Sequence, residues 1–427
     1  MSVATIFVPH QDDEINLVGN ILSQLVSKYE VYIVYSSLES DTDKGNIRRE
    51  EAINACSIYS INKNHVIFMG YPDTANKQGH HYYTDGDKSI VLDIEILINR
   101  LRPELIIGTD FDFHSDHRML SLALDEALRN VILIFNNYRP RYLKGFCYET
   151  AYYGVDDYSA SSLAETVIKN EILGNVSYRW EDRVSINSSE ADGFITQKRA
   201  YKALKCHKSQ YAILHARSII NADNVFWEKR TDNLLLNKDV RITAASGNVS
   251  RLNDFKVIDT DDIITIDQTK VDYSKGLWMA DENRTEIRIC WLSPVSFDRI
   301  VFHGNPNNPT NSKIKITILD EKSGKILAIV ESIAEYGRAT EIIFEKTRCV
   351  SITLICESAE NNQIELSEIE VYDGENNMSE SVVNVINGTN NKVKVIDYID
   401  KFMFKVSAIC TRIMRKMHNI KIVKKDS

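Results

Sequence analysis

The chain has 427 residues, 43% of them apolar and 26% charged, with a formal net charge of −9. That length exceeds what one hydrophobic core usually supports, so two or three domains are expected, and the acidic balance excludes a general nucleic-acid binder. The cysteines (Cys56, Cys147, Cys206, Cys290, Cys349, Cys356, Cys410) are odd in number and never form a CxxC pair, which excludes a disulfide framework and a thiolate zinc knuckle and fits a reducing compartment.

The run Met1–Val8 lacks a basic n-region, and no stretch of about 18 uncharged apolar residues exists. Neither a signal peptide nor a membrane span is therefore expected, and the protein is placed in the cytoplasm. Ala4–Val8 is a buried-strand run, Glu14–Lys28 carries apolar residues at helical spacing, and Val31–Tyr35 is strand again. Asn46–Ile61 is helical, Val66–Met69 a short strand, and Ile90–Leu101 a helix that Pro103 ends before the strand Leu105–Ile107. This alternation predicts a parallel sheet with helices on both faces, a fold that binds ligands beyond the carboxyl ends of its strands.

Past residue 238 the pattern changes to short Ile-, Val- and Thr-rich segments separated by Asn, Asp, Gly and Pro. These are Glu286–Trp291, Arg299–Phe302, Lys313–Leu319, Ile326–Val330, Thr340–Phe344, Val350–Ile355 and Ile364–Tyr372. Such spacing reads as an antiparallel sandwich over 239–374. Residues 375–391 are largely polar and read as a linker. Residues 392–427 place Ile396, Ile399, Met403, Val406, Cys410, Ile413, Met417 and Ile420 at alternating spacings of three and four, an amphipathic helix. This tail carries +7 against −16 for the rest of the chain. Because Phe402 and Ile409 widen its apolar stripe and its polar face is basic, an anionic membrane surface is favoured over self-association or packing on the acidic body.

Two polar runs follow strands of the first region: Pro9-His10-Gln11-Asp12-Asp13-Glu14 and His114-Ser115-Asp116-His117. A hydrolytic zinc takes three ligands from His and Asp/Glu and acidifies a water in its fourth position. His10, Asp13 and His117 can supply those ligands, leaving Asp12 to take the water's proton and His114 to face the reacting carbonyl. Another divalent metal would also suit this donor set. Taken singly, the first run could equally be a helix N-cap, with Asp12 or Asp13 accepting backbone amides, and the second a solvated loop.

Together the runs resemble the zinc-dependent de-N-acetylases of the PIG-L/LmbE type. The first is similar to their signature and the second to their HxDH motif. Supporting matches are Arg48-Arg49-Glu50-Glu51 with Ala55, Gly70-Tyr71-Pro72-Asp73, Arg102-Pro103, and Ala203-Leu204 followed by His207, Ser209 and Gln210. The resemblance spans roughly residues 3–215. It implies zinc on His10, Asp13 and His117, Asp12 as general base, His114 as stabiliser of the tetrahedral intermediate, and Arg48 near the substrate, although Arg49 is adjacent. Two departures stand out: Gln11 replaces the more usual Pro, and Asp112 stands where some members carry a tyrosine, so no acid role is transferred there. His207 reads as structural. Glu14 and Asp116 are left to helix start and outer support. Residues 239–374 resemble galactose-binding-like or discoidin sandwiches through Val240-Arg241-Ile242-Thr243-Ala244-Ala245-Ser246-Gly247, Trp278 and Leu366-Ser367-Glu368-Ile369-Glu370-Val371-Tyr372. Trp278 reads as core.

The expected fold class is α/β: a Rossmann-like parallel sheet (1–238), a C-terminal antiparallel β-sandwich (239–374), a linker (375–391) and a basic amphipathic helical tail (392–427). The expected function is zinc-dependent removal of acetyl from an N-acetylamino sugar, similar to N-acetylglucosamine, in a glycan or lipid-linked glycoconjugate, on the inner face of the membrane if the tail docks there. The alternatives are a deacetylase of a small soluble N-acetylglucosaminide and a non-catalytic carbohydrate-binding adaptor. Neither the acceptor glycan nor the oligomeric state is legible.

Overall fold

The computed structural model describes residues 1–38, 43–73, 82–84, 87–110, 114–147, 184–188, 195–215, 223–260, 272–307, 313–358 and 363–374, with positions 406, 409 and 413. The first sheet comprises β1 (Ser2–Val8), β2 (Tyr29–Ser37), β3 (Val66–Tyr71), β4 (Leu105–Thr109), β5 (Arg141–Gly145), β6 (Val184–Asn187) and β7 (Asp223–Glu228), in the order β3-β2-β1-β4-β5-β7-β6. The strands from β3 to β5 run parallel. β7 pairs antiparallel with β5, and β6 antiparallel with β7, so the sheet is mixed rather than wholly parallel as expected. The antiparallel pair lies at one edge of the sheet.

Alternation along β1 decides where the helices go. Ala4, Ile6 and Val8 join a core with residues of α1 (Asp13–Val18), α2 (Leu22–Lys28), α3 (Asp43–Ser57) and α6 (Arg199–Leu204). Phe7 points the other way, into a second core with α4 (Ser89–Leu101) and α5 (Ser115–Ile134). Successive side chains of a strand face opposite sides, so a central strand buried on both faces is largely apolar, as β1 is apart from the buried Thr5. The single helix expected over 14–28 is two helices, broken at Gly19-Asn20-Ile21. The apolar spacing runs through the break because both halves face the same core. A Cβ on Gly19 would meet the Ile15 carbonyl oxygen at 2.5 Å, so the tight connection depends on glycine.

The second region contains β8 (Arg241–Ala244), β9 (Trp278–Met279), β10 (Arg284–His303), β11 (Ile314–Asp320), β12 (Ile326–Val330), β13 (Thr340–Ser358), β14 (Glu365–Leu366) and β15 (Glu368–Tyr372). A six-stranded antiparallel sheet ordered β12-β11-β13-β10-β15, with β8 on β10, and a small β14-β9 pair enclose a third core. The pairs expected at 286–291 and 299–302, and at 340–344 and 350–355, are each one long strand. Register shifts between Cys290 and Val295 and between Phe297 and Arg299 let β10 continue past Pro294, which has no N–H for the ladder. Trp278 is fully buried, with its indole N–H donating to the Ser246 carbonyl at 2.9 Å.

The two regions share a wide polar and apolar boundary. Leu235 packs in the sandwich core and its neighbour Leu236 in the second core of the first region, which also takes in Phe255, Ile258 and Tyr273. Lys256 Nζ reaches Tyr83 Oη at 3.1 Å and Glu126 Oε2 at 3.3 Å, while the Arg230 guanidinium stacks 3.7 Å from the Tyr372 ring centroid. The linker 375–391 and the tail lie outside the described residues except Val406, Ile409 and Ile413, which are helical and exposed. Among the described residues no helix is long and apolar enough to cross a membrane.

Candidate metal centre

β1 and β4 are neighbours, paired from Ala4–Leu105 to Phe7–Gly108, so the segments leaving their carboxyl ends emerge side by side. The first turns into α1 through Pro9–Asp12 and the second enters α5 at His114. The hundred-residue gap in sequence is closed by one step across the sheet.

Asp13 sits at the middle. Its Oδ2 lies 3.0 Å from His10 Nδ1 and 3.2 Å from His117 Nε2, and all three residues are buried. The far nitrogen of each ring is backed: His10 Nε2 lies 2.9 Å from Asp116 Oδ2, and His117 Nδ1 lies 3.5 Å from Thr109 Oγ1. Bonds of about 2.0–2.1 Å to a tetrahedral zinc place ligand atoms roughly 3.3 Å apart, close to the spacing seen. Metal-binding imidazoles are oriented by such partners on the opposite nitrogen. Asp13 Oδ1 is buried and makes no hydrogen bond to the described residues, leaving an acceptor for which a cation is the natural counterpart. The donor set therefore fits a divalent metal. Burial by itself would lower the His10 pKa, but hydrogen bonds to Asp116 and Asp13 hold it well above the usual imidazole value. Burial would raise Asp13, whereas the charges and hydrogen bonds of His117 and His10 hold it well below the carboxylate range.

The structure adds donors beyond the expected three. Ring nitrogens of His10, His114 and His117 lie within 4.8 Å of one another, as do ligand atoms of His10, Asp73 and Asp116. His114 caps α5, its Nδ1 accepting the Asp116 N–H at 3.1 Å. In the neutral ring that acceptor role puts the proton on Nε2, the nitrogen able to donate to a carbonyl oxygen.

Asp12 holds the N-cap position of α1 yet makes no side-chain cap bond, so the plain capping alternative is not what the fold uses it for. Its φ of 142° is a left-handed conformation costly for any residue with a Cβ. Its N–H donates to Glu14 Oε2 at 3.0 Å, and Glu14 Oε1 is 2.7 Å from His207 Nε2, both residues being fully buried. His207 is buried against Glu14, which therefore has more than a helix-start role. Of the adjacent arginines, Arg48 is buried and donates to Asp73 Oδ2 at 3.0 Å, while Arg49 lies over the Phe68 ring. Asp73 Oδ1 in turn is 4.0 Å from His10 Nε2. In the sequence Asp73 stands only within a supporting motif, and its position after Pro72 at a strand end is the signal available. Glu51 accepts from the Ser209 N–H at 2.9 Å and hydroxyl at 2.7 Å, joining two of the supporting motifs. Asp112 lies outside the described residues.

Residues 5–128 match the PIG-L family, described as GlcNAc-PI de-N-acetylase. This is a narrower span than the expected 3–215. No curated protein sequence matches the chain. Solved structures similar to it include the family 32 carbohydrate-binding module from C. perfringens NanJ in complex with galactose, at 12% identity and TM-score 0.25, covering 32% of this chain and 94% of that one. The family 32 module from Streptococcus pneumoniae EndoD matches at 11% identity and TM-score 0.25, covering 32% and 96%. A pectin-binding carbohydrate-binding module matches at 18% identity and TM-score 0.24, covering 32% and 91%.

Proposed function

We propose, from the PIG-L domain at residues 5–128 and the geometry around Asp13, that the chain is a zinc-dependent hydrolase removing acetyl from an N-acetylamino sugar of a glycan or glycoconjugate. The observation that carries this reading is the convergence of His10 Nδ1 and His117 Nε2 on Asp13 Oδ2, with Asp116 and Thr109 behind the rings.

His10, Asp13 and His117 would hold the metal, which would supply a Lewis acid for the carbonyl and an acidified water. Asp12, one residue before a ligand and pinned by Glu14, takes the proton of the attacking water and returns it to the leaving amine. His114 donates from Nε2 to the oxygen that gains charge as the carbonyl carbon becomes tetrahedral. Arg48 and Asp73, paired beside His10, orient sugar hydroxyls. Buried, already hydrogen-bonded groups need little rearrangement as charge develops, which favours the transition state over the ground state.

Metal analysis of the purified protein combined with acetate release from a panel of N-acetylamino sugars tests this reading. Stoichiometric zinc and acetate release abolished by chelation are expected. A metal-free protein that releases no acetate after zinc addition would leave the adaptor reading.

A further inference from the structure

Away from the metal centre, a cavity of about 980 Å³ lies on the boundary between the first sheet and the sandwich. Its walls come from both regions: Asp110, Ser121 and Lys144 on one side, Arg299, His303 and Glu370 on the other. It is at the upper end of the roughly 300–1,000 Å³ usual for small-molecule sites, room for several sugar rings rather than one.

The charges on these walls are already matched. Lys144 Nζ lies 2.9 Å from both Asp110 Oδ1 and Asp125 Oδ2, Lys229 Nζ is 2.6 Å from Asp125 Oδ2, and Arg299 Nη1 is 2.9 Å from Glu341 Oε1. His303 Nε2 is 3.6 Å from Glu370 Oε2. An ionic ligand would have to break such pairs, whereas hydroxyl groups can donate to their carboxylates and accept from their cations without separating them. Among the described residues, Asp110 Oδ2 is a carboxylate oxygen with no hydrogen bond, on a residue only 3% exposed and lining the cavity. Aliphatic Leu122, Val301 and Ile333 supply the apolar surface that sugar C–H faces require.

The position relates the cavity to the reaction. His117 at the metal centre and Ser121 at the cavity wall are four residues apart on α5, one turn and about 6 Å along the axis at ~1.5 Å per residue. Asp110 follows Thr109, the residue backing His117. We propose that this cavity binds a neutral oligosaccharide segment adjoining the reacting sugar, so that the substrate is an extended uncharged glycan; the adjoining-segment part rests on the de-N-acetylase reading.

The test measures binding to the full chain of neutral tetrasaccharides lacking acetamide groups, namely β-1,4-glucose, β-1,3-glucose and β-1,4-mannose oligomers, against their monosaccharides. Without an acetamide they cannot be turned over, so the result is independent of whether acetate is released from N-acetylamino sugars. At least one tetrasaccharide is expected to bind about tenfold or more tighter than its monosaccharide. Filling the cavity with Ala334→Trp, or separately Ser332→Trp, is expected to remove that advantage in protein whose circular dichroism matches the parent. No tetrasaccharide binding above the monosaccharide level, or undiminished binding in both folded variants, overturns the proposal. Tighter binding of an oligogalacturonate than of any neutral tetrasaccharide overturns the argument from matched charges.

Discussion

Glu14 bridges His207 and the backbone of Asp12: one carboxylate oxygen lies 2.7 Å from the imidazole Nε2, the other accepts the Asp12 N–H at 3.0 Å. A residue from the end of the first region thereby fixes the turn that carries the proposed base. Both members of the pair are fully buried, so removing His207 leaves the Glu14 carboxylate away from solvent and without its counter-charge, held only by hydrogen bonds such as that from the Asp12 N–H. His207→Ala is expected to lower unfolding stability by about 3–5 kcal/mol, and His207→Gln, which keeps a donor, by clearly less. Urea unfolding of the two variants checks this; equal losses would remove the buried-charge argument.

Asp12 tests strain against function. Its φ of 142° costs about 1–3 kcal/mol, a cost that glycine does not bear. Asp12→Gly is expected to raise the thermal midpoint while losing turnover. Asp12→Asn is expected to keep stoichiometric metal and lose roughly 10²–10⁴-fold in rate. An Asp12→Gly variant less stable than the parent would show that side-chain contacts outweigh the strain.

Removing a ligand differs from removing its support. His10→Ala and His117→Ala are expected to lose both metal and activity. Asp116→Asn, behind His10, should bind metal about 10–100-fold more weakly and recover activity at raised zinc concentration. Titration with a competing chelator separates these outcomes, and an Asp116→Asn affinity equal to the parent's would place Asp116 outside the metal centre.

At the boundary between the regions, burial would raise the pKa of Glu126, but Lys256 and hydrogen bonds from Lys88 and Tyr83 lower it to about 2. A depressed carboxylate stabilises the fold above its unfolded pKa near ~4.5, and that contribution is lost as pH falls through the folded value. Stability is therefore expected to drop between about pH 4.5 and 2, and Glu126→Gln should flatten that limb while lowering stability at neutral pH. Denaturation curves across this window check the sign; an unchanged acid limb in the variant would assign the loss to other groups.

The sequence by itself determined the elements and the chemistry of their ends. The near-continuous apolar runs Ala4–Val8 and Leu105–Ile107 identify strands buried on both faces, and the polar runs that follow them supply His10, Asp12, Asp13, His114 and His117. Those features are local, so a single chain segment carries them. Only the tertiary structure decided what acts at a distance. The antiparallel β7 and β6 at the sheet edge, the joining of short sandwich segments into β10 and β13, and the break at Gly19 depend on pairing and packing that spacing does not encode. The same holds at the site. That Arg48 rather than Arg49 turns inward, that Asp73 and Asp116 flank His10, and that His207 reaches back to Glu14 across 193 residues follow from how the sheet brings separate loops to one edge. A side chain's partner there is chosen by the fold, because burial of a charge is tolerable only where another element delivers its counterpart.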